Sequence, residues 1–141
     1  MKKKLGIYIH IPFCVRKCAY CDFLSAPADA ETRDAYVRAL KEEIRSAGEL
    51  DGSYEGATVF FGGGTPSLLA GDELAGILDE ISRQLLLRSD AEITVECNPG
   101  TLDRKKLEAY KRAGINRLSI GLQSADNREL RALGRIHTWE E

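Results

Sequence analysis

Four short apolar runs alternate along the chain with longer segments in which apolar residues recur at helical spacing. The runs are rich in β-branched and aromatic residues, which is typical of strands. They cover residues 5–11, 57–61, 92–97 and 115–122. Because each run is followed by a predicted helix, the order is β-α-β-α-β-α-β-α, and this alternation predicts an α/β fold with a parallel sheet and right-handed crossovers.

Capping signals set the limits of the predicted helices. The first helix follows a turn and ends at Gly48, and the second takes Asp72 as its N-cap. The third begins after Asp103 and ends at Gly114, since glycine often stands just past a helix end. Residues 126–133 form the fourth helix.

Four β/α units are half of an eight-unit barrel, which leaves the first and fourth strands with open edges. An exposed edge pairs or aggregates unless something covers it. The chain ends at Glu141, just past a helix and without a closing element. We therefore expect a truncated part of a larger domain, or a chain that completes its sheet with a second copy in a homodimer.

Composition and charge exclude several classes of protein. The 141 residues are enough for about one domain, and the net charge of −2 gives no reason to expect a nucleic-acid partner. The apolar run at residues 5–11 is too short for a secretory signal, and no run reaches transmembrane length. We therefore expect a cytoplasmic protein, whose clustered cysteines bind metal rather than form disulfides.

Three of the four cysteines lie in the loop that follows the first strand: Cys14, Cys18 and Cys21. Thiolates at this spacing can converge on one centre, and sulfur ligands select zinc or an iron–sulfur cluster. Zinc would need a fourth ligand, for which Cys97 and His10 are available, whereas a four-iron cluster would keep one iron open. The other loops favour the cluster, and Cys97 fits better as a small buried side chain.

The other unusual stretches also follow carboxyl ends of strands, where parallel α/β folds place their sites. They are the glycine run 62–66, residues 96–98, and Gln123 with Ser124. The glycine run lacks the lysine of a phosphate-binding loop, so its bare backbone suits a ligand with an amino-acid part. Glu96 and Gln123 are placed for polar contacts to such a ligand.

These stretches resemble the radical S-adenosylmethionine proteins of the oxygen-independent coproporphyrinogen III oxidase group. The resemblance is carried by residues 8–14 with 18–21, 61–67, 95–101, 116–124 and 133–137. It implies a radical-SAM (TIM-like) partial barrel. Residues 1–141 would then be the N-terminal part of the core domain, with the rest of the barrel and a C-terminal domain absent.

The resemblance also implies the cofactors. In that family three cysteines hold a [4Fe-4S] cluster whose open iron is chelated by S-adenosyl-L-methionine, and this implies Cys14, Cys18 and Cys21 as the metal ligands. Reduction of the cluster splits the sulfonium bond to give a deoxyadenosyl radical, which the protein orients. The positions that match S-adenosylmethionine contacts in relatives are Tyr8, Tyr20, Gly63, Gly64, Thr65, Glu96, Gln123 and Arg135.

Asp22 and Phe23 distinguish two subtypes within the group. The oxidases of this group carry the pattern Cys-x-x-x-Cys-x-x-Cys-x-Cys, whereas this chain has Phe23 at the position of the fourth cysteine. The difference favours the HemW type, heme chaperones that bind heme and pass it to an acceptor protein. Two alternatives stay open: an oxidase of porphyrin biosynthesis that decarboxylates coproporphyrinogen III, and an inactive fragment. His10 and His137 are candidate heme ligands, although a histidine beside a site more often makes a hydrogen bond.

Overall fold

The computed structural model describes residues 1–47 and 52–141. Its four strands form one parallel sheet in the order β1-β2-β3-β4. The strands are β1 (Lys3–Ile11), β2 (Tyr54–Gly63), β3 (Leu87–Cys97) and β4 (Arg117–Ile120). The helices are α1 (Ala30–Ser46), α2 (Gly71–Gln84), α3 (Arg104–Ala113) and α4 (Asn127–Ala132), with a short 3₁₀ helix at Pro66–Leu68. The predicted α/β class and the open, partial-barrel sheet are confirmed.

Local capping explains where the helices begin and end. Asp103 accepts a hydrogen bond from the Lys106 amide at 2.7 Å, and Gly114 takes the left-handed conformation after α3 with φ of +96°, as predicted. The predicted end of the first helix at Gly48 lies outside the described residues.

The predicted N-cap of α2 is wrong. Ala70 is the N-cap, and Asp72 lies inside the first turn. Ala70 has no side-chain acceptor to offer, so the Glu73 carboxylate reaches back and accepts from the Ala70 amide at 2.6 Å. Asp72 and Glu73 are also favourable there because the helix N-terminus carries partial positive charge.

The lengths of the strands differ from the lengths of the apolar runs that predicted them. β1, β2 and β3 begin several residues earlier than predicted, because parallel pairing such as Lys3 with Tyr54 extends the backbone ladder over polar residues. β4 is shorter, with only four residues, and pairs with the last four of β3. In the described part of the chain it forms an edge of the sheet, and all four of its side chains are exposed.

Alternation along the strands separates a packed face of the sheet from an open one. Ile9, Phe61 and Val95 are buried in a single apolar core together with residues of α1, α2 and α3. The intervening residues, which include Tyr8 and Glu96, project from the opposite face because successive strand side chains alternate. The helices therefore cover one face, while the opposite face and the carboxyl ends of the strands carry the polar groups.

Replacing Leu74 of α2 should destabilise the fold measurably. Leu74 is fully buried in the core, so Leu74→Ala should lower the free energy of unfolding by about 2–5 kcal/mol. Leu86→Ala is the matched control, because Leu86 is 60% exposed, and it should cost less than about 0.5 kcal/mol. Urea denaturation followed by circular dichroism measures both values. Equal losses in the two variants would show that α2 does not pack as described.

Candidate functional site

A cavity of about 230 Å³ opens where the four strands end. All three cysteines of the first loop contribute to its wall, and so does every predicted S-adenosylmethionine contact except Tyr8. These wall residues are Cys14, Cys18, Cys21, Tyr20, Gly63, Gly64, Thr65, Glu96, Gln123 and Arg135. The structure thus brings together groups from five separate segments of the chain, although their roles as ligands stay predictions.

The cysteine loop, residues 12–26, is closed on itself by backbone hydrogen bonds. The Ala26 amide donates to the Pro12 carbonyl at 2.9 Å, and the Cys14 amide donates to the Ala26 carbonyl at 3.3 Å. Within the loop, the Cys21 amide donates to the Cys18 carbonyl at 3.0 Å, which makes a tight turn between these two cysteines. All three thiols are partly exposed, so they are accessible from the cavity.

His10 supports this loop from β1. Its Nε2 lies 2.9 Å from the Leu24 carbonyl, and its Nδ1 lies 3.0 Å from the Tyr8 hydroxyl. A carbonyl can only accept, so Nε2 carries the proton and Nδ1 accepts from Tyr8. His137 is buried and donates from Nε2 to the Leu122 carbonyl at 3.1 Å. Both histidines therefore make hydrogen bonds to the backbone of neighbouring loops.

The glycine run holds the end of β2 against the start of the cysteine loop. The Gly64 amide donates to the Ile11 carbonyl at 2.8 Å, and the Thr65 amide donates to the Phe13 carbonyl. A Cβ at Gly64 would stand 2.4 Å from the Phe13 oxygen, a contact with backbone that cannot rotate away. The sequence predicted an approach to a ligand here, and the closest approach at Gly64 is to the protein's own backbone.

Glu96 and Tyr8 lie on the open face beside this run. Glu96 accepts from the Gly63 amide at 3.1 Å, while Gly63 itself has a φ of +115° that only glycine adopts readily. Tyr8 stacks near Phe60 with ring centroids 6.1 Å apart, outside the cavity wall. Loss of hydration, and secondarily the Glu96 carboxylate, raise the pKa of the Tyr8 phenol, so this phenol stays protonated.

Arg135 links the cysteine loop to the ends of β3 and β4. Its Nη2 donates to Asn98 Oδ1 at 3.0 Å and to the Gly121 carbonyl at 2.6 Å. Its Nη1 lies 3.8 Å from Cys18 Sγ and 3.3 Å from the Tyr20 hydroxyl. Nε is buried without a hydrogen-bond partner in the described part of the chain. Arg135 thus contributes a positively charged group to the cavity wall.

Asn98 is a residue of the cavity wall that the sequence analysis did not assign to the site. Its Oδ1 accepts from Arg135, and its Nδ2 donates to Thr65 Oγ1 at 2.9 Å. It thereby joins the glycine run to the arginine across the cavity. Its place directly after a predicted strand was the available signal. Nothing in the sequence indicated the backbone conformation of Gln123, whose φ of +69° is uncommon for a residue other than glycine.

The fourth cysteine is part of the core. Cys97 is 3% exposed, and its thiol donates to the Val95 carbonyl at 3.5 Å. Burial raises the pKa of this thiol to about 11, so it stays neutral at physiological pH. Among residues 1–47 and 52–141, no three cysteine, histidine or carboxylate side chains converge closely enough to hold a single metal ion.

In the part of the chain that the structure describes, no helix is both long and apolar enough to cross a bilayer.

The chain is similar in sequence to known proteins of one family. The family model of the Radical SAM superfamily matches residues 8–141. Heme chaperone HemW of Escherichia coli K12 is 46% identical over 138 residues, which are 97% of this chain and 36% of that protein. HemW of Bacillus subtilis 168 is 41% identical over 131 residues, 92% of this chain and 35% of that one. The chain thus spans about a third of the length of these relatives.

The fold matches a solved structure described as coproporphyrinogen III oxidase (HemN) of Escherichia coli, a radical SAM enzyme. The TM-score is 0.90 at 28% sequence identity, over 99% of this chain and 32% of that one.

Gly64→Ala should disturb the approach of β2 to the cysteine loop. The added methyl group meets the Phe13 backbone, so we expect a loss of about 1–3 kcal/mol in unfolding free energy, the usual range for overpacking. Gly6→Ala is the control, since its new Cβ would meet only the rotatable Thr58 hydroxyl. Urea denaturation of the metal-free proteins measures both. A Gly64→Ala variant as stable as its parent would contradict the described contact.

The four thiols of the metal-free protein should react in two classes. Cys97 is buried with a pKa of about 11, so at pH 8 only about one molecule in a thousand carries its thiolate. We expect three fast thiols and one slow one with Ellman's reagent at pH 8. The slow rate should rise with pH towards 11, and Cys97→Ala should remove the slow phase alone. Four equal rates would show that Cys97 is not buried.

Proposed function

The chain belongs to the radical SAM superfamily, and we propose that it acts as a heme chaperone of the HemW type. In this proposal it binds a [4Fe-4S] cluster and S-adenosyl-L-methionine and transfers heme to an acceptor protein in the cytoplasm. The observation that carries the proposal is the cysteine loop, whose three partly exposed thiols face the strand-end cavity. Phe23, which is 67% exposed, follows them at the place of the oxidases' fourth cysteine.

The donor set fits a cluster better than a single ion. Cys14, Cys18 and Cys21 supply three sulfur ligands, which leaves one iron of a four-iron cluster open. A closed zinc site would need a fourth ligand, and His10 is engaged in hydrogen bonds within the protein. Cys97, the remaining sulfur, is neutral and hydrogen-bonded in the core. We therefore assign the three loop cysteines as cluster ligands.

The cavity wall also fits the amino-acid part of S-adenosylmethionine. The positive charge of Arg135 in the wall suits a carboxylate, and the Glu96 carboxylate suits an ammonium group. Tyr8, Tyr20, Thr65, Gly63, Gly64 and Gln123 complete the proposed contact set. When bound, the cluster and S-adenosylmethionine supply one-electron chemistry that the side chains of the protein lack.

Residues 1–141 form the N-terminal part of the radical SAM core domain in this proposal. They supply four β/α units, and the free edge of β4 would pair with the rest of the barrel or with a second copy of the chain. The C-terminal domain of the family lies outside these residues.

The alternative function is that of an oxygen-independent coproporphyrinogen III oxidase. The observation that favours it is the close match of the fold to the structure described as HemN. An oxidase would decarboxylate the propionates of coproporphyrinogen III, whereas a chaperone would bind heme without consuming that substrate. The two functions therefore differ in a quantity that can be measured directly.

One anaerobic experiment tests both the cluster and the function. The protein is reconstituted with iron and sulfide beside Cys18→Ser and, as a matched control, Cys97→Ala. We expect a four-iron spectrum in the parent and in Cys97→Ala and a loss of most bound iron in Cys18→Ser. A full cluster in Cys18→Ser would show that the ligand assignment is wrong.

The reconstituted parent is then titrated with heme by absorbance and incubated with S-adenosylmethionine and coproporphyrinogen III. Heme binding without consumption of the porphyrinogen is the expected result. Turnover without heme binding would reject the chaperone and support the oxidase.

A further inference from the structure

We propose that Arg135 tunes the bound cluster: its charge and its N–H donation to the Cys18 sulfur raise the reduction potential of that cluster. This inference rests on the proposed function, because it requires a cluster on Cys18. It assigns Arg135 a role at the sulfur ligand, separate from its proposed contact with S-adenosylmethionine.

The guanidinium is held on three sides. Its Nη2 donates to Asn98 Oδ1 at the end of β3 and to the Gly121 carbonyl just past β4. Its Nη1 points to Cys18 Sγ at 3.8 Å, within the usual range for a hydrogen bond to sulfur, and to the Tyr20 hydroxyl. The residue is only 9% exposed. Its charge therefore stands at a defined position beside one of the three sulfur ligands.

The backbone around Arg135 is docked on the same loop. The Ala19 amide donates to the Leu133 carbonyl at 3.3 Å. Arg16 donates from Nε and Nη2 to the Gly134 carbonyl at 3.1 and 2.8 Å. The turn that ends α4 is thus bound to the cysteine loop by contacts that do not involve the Arg135 side chain. Replacing that side chain should therefore leave the loop in place.

The electrostatic consequence follows from the charge of a cluster. A thiolate ligand can only accept hydrogen bonds, and arginine stays positively charged at any physiological pH. Reduction adds one negative charge to the cluster, and both a nearby cation and an N–H donor to sulfur stabilise that charge. Burial strengthens the effect because the effective dielectric constant is lower than in water. Arg135 should therefore make the cluster easier to reduce.

The test compares variants of Arg135 in the reconstituted protein without S-adenosylmethionine, so that contacts to that cofactor play no part. Arg135→Met and Arg135→Gln remove the charge, and Arg135→Lys keeps it but cannot span Cys18, Asn98 and Gly121 at once. Arg16→Met is the matched control, since it removes a second arginine from the same junction, one whose two hydrogen bonds go to the Gly134 carbonyl and not to a sulfur. The readout is the ratio of reduced to oxidised cluster at a fixed ambient potential, followed by electron paramagnetic resonance.

We expect the ratio to fall about tenfold in Arg135→Met and Arg135→Gln, which corresponds to about 59 mV for a one-electron couple. It should fall less in Arg135→Lys and less than twofold in Arg16→Met. An unchanged ratio in either neutral variant that carries a full cluster would overturn the inference. A lysine variant indistinguishable from the parent would contradict the N–H donation to sulfur.

Failure of the proposed function would look different. A parent protein that forms no four-iron cluster would refute the cluster assignment itself, before any variant is compared. If neither neutral variant takes up iron while the parent and Arg16→Met do, the inference is tested by Arg135→Lys alone. A lysine variant with the same ratio of reduced to oxidised cluster as the parent would then contradict it.

Discussion

The contact on which the site depends is the close approach of β2 to the backbone that leads into the cysteine loop. Gly64 lies against Phe13 with no room for a side chain, and backbone hydrogen bonds from Gly64 and Thr65 join the two segments. Because Phe13 directly precedes Cys14, this contact sets where the first cysteine leaves the sheet. The cysteine loop, which contains no helix or strand, thereby starts from a fixed point.

The parallel sheet explains why the remaining groups collect around that loop. All four strands run in the same direction, so every loop that follows a strand emerges at the same end of the sheet, where the carboxyl ends of the strands lie. Residues such as Glu96 therefore reach the cavity without any long excursion of the chain. The core occupies the face of the sheet that the helices cover, and the Cys97 side chain belongs to this core. Cysteines at the same end of one sheet therefore differ in environment: the three in the loop are partly exposed, whereas Cys97 is buried.

The cysteine loop is held from both ends of the sequence. His10 and the Phe13 backbone act from nearby in the chain, whereas Leu133, Gly134 and Arg135 act from more than a hundred residues away. The distant contacts come from a turn after α4 that has no unusual composition. Arg135 adds a buried charge to this arrangement, at hydrogen-bonding distance from a cluster-ligand candidate. The same turn can thus support the loop mechanically and influence its chemistry.

The sequence by itself determined the order of strands and helices, the caps at Asp103 and Gly114, and the set of residues at the strand ends. These features depend on local signals, namely periodicity, capping chemistry and cysteine spacing. Only the tertiary structure decided the lengths of the strands, the N-cap at Ala70, and the joining role of Asn98. Each of these depends on a partner that is distant in the chain or on backbone geometry. The pattern of apolar and polar residues predicts neither, because a hydrogen bond between distant segments produces no periodicity in the sequence.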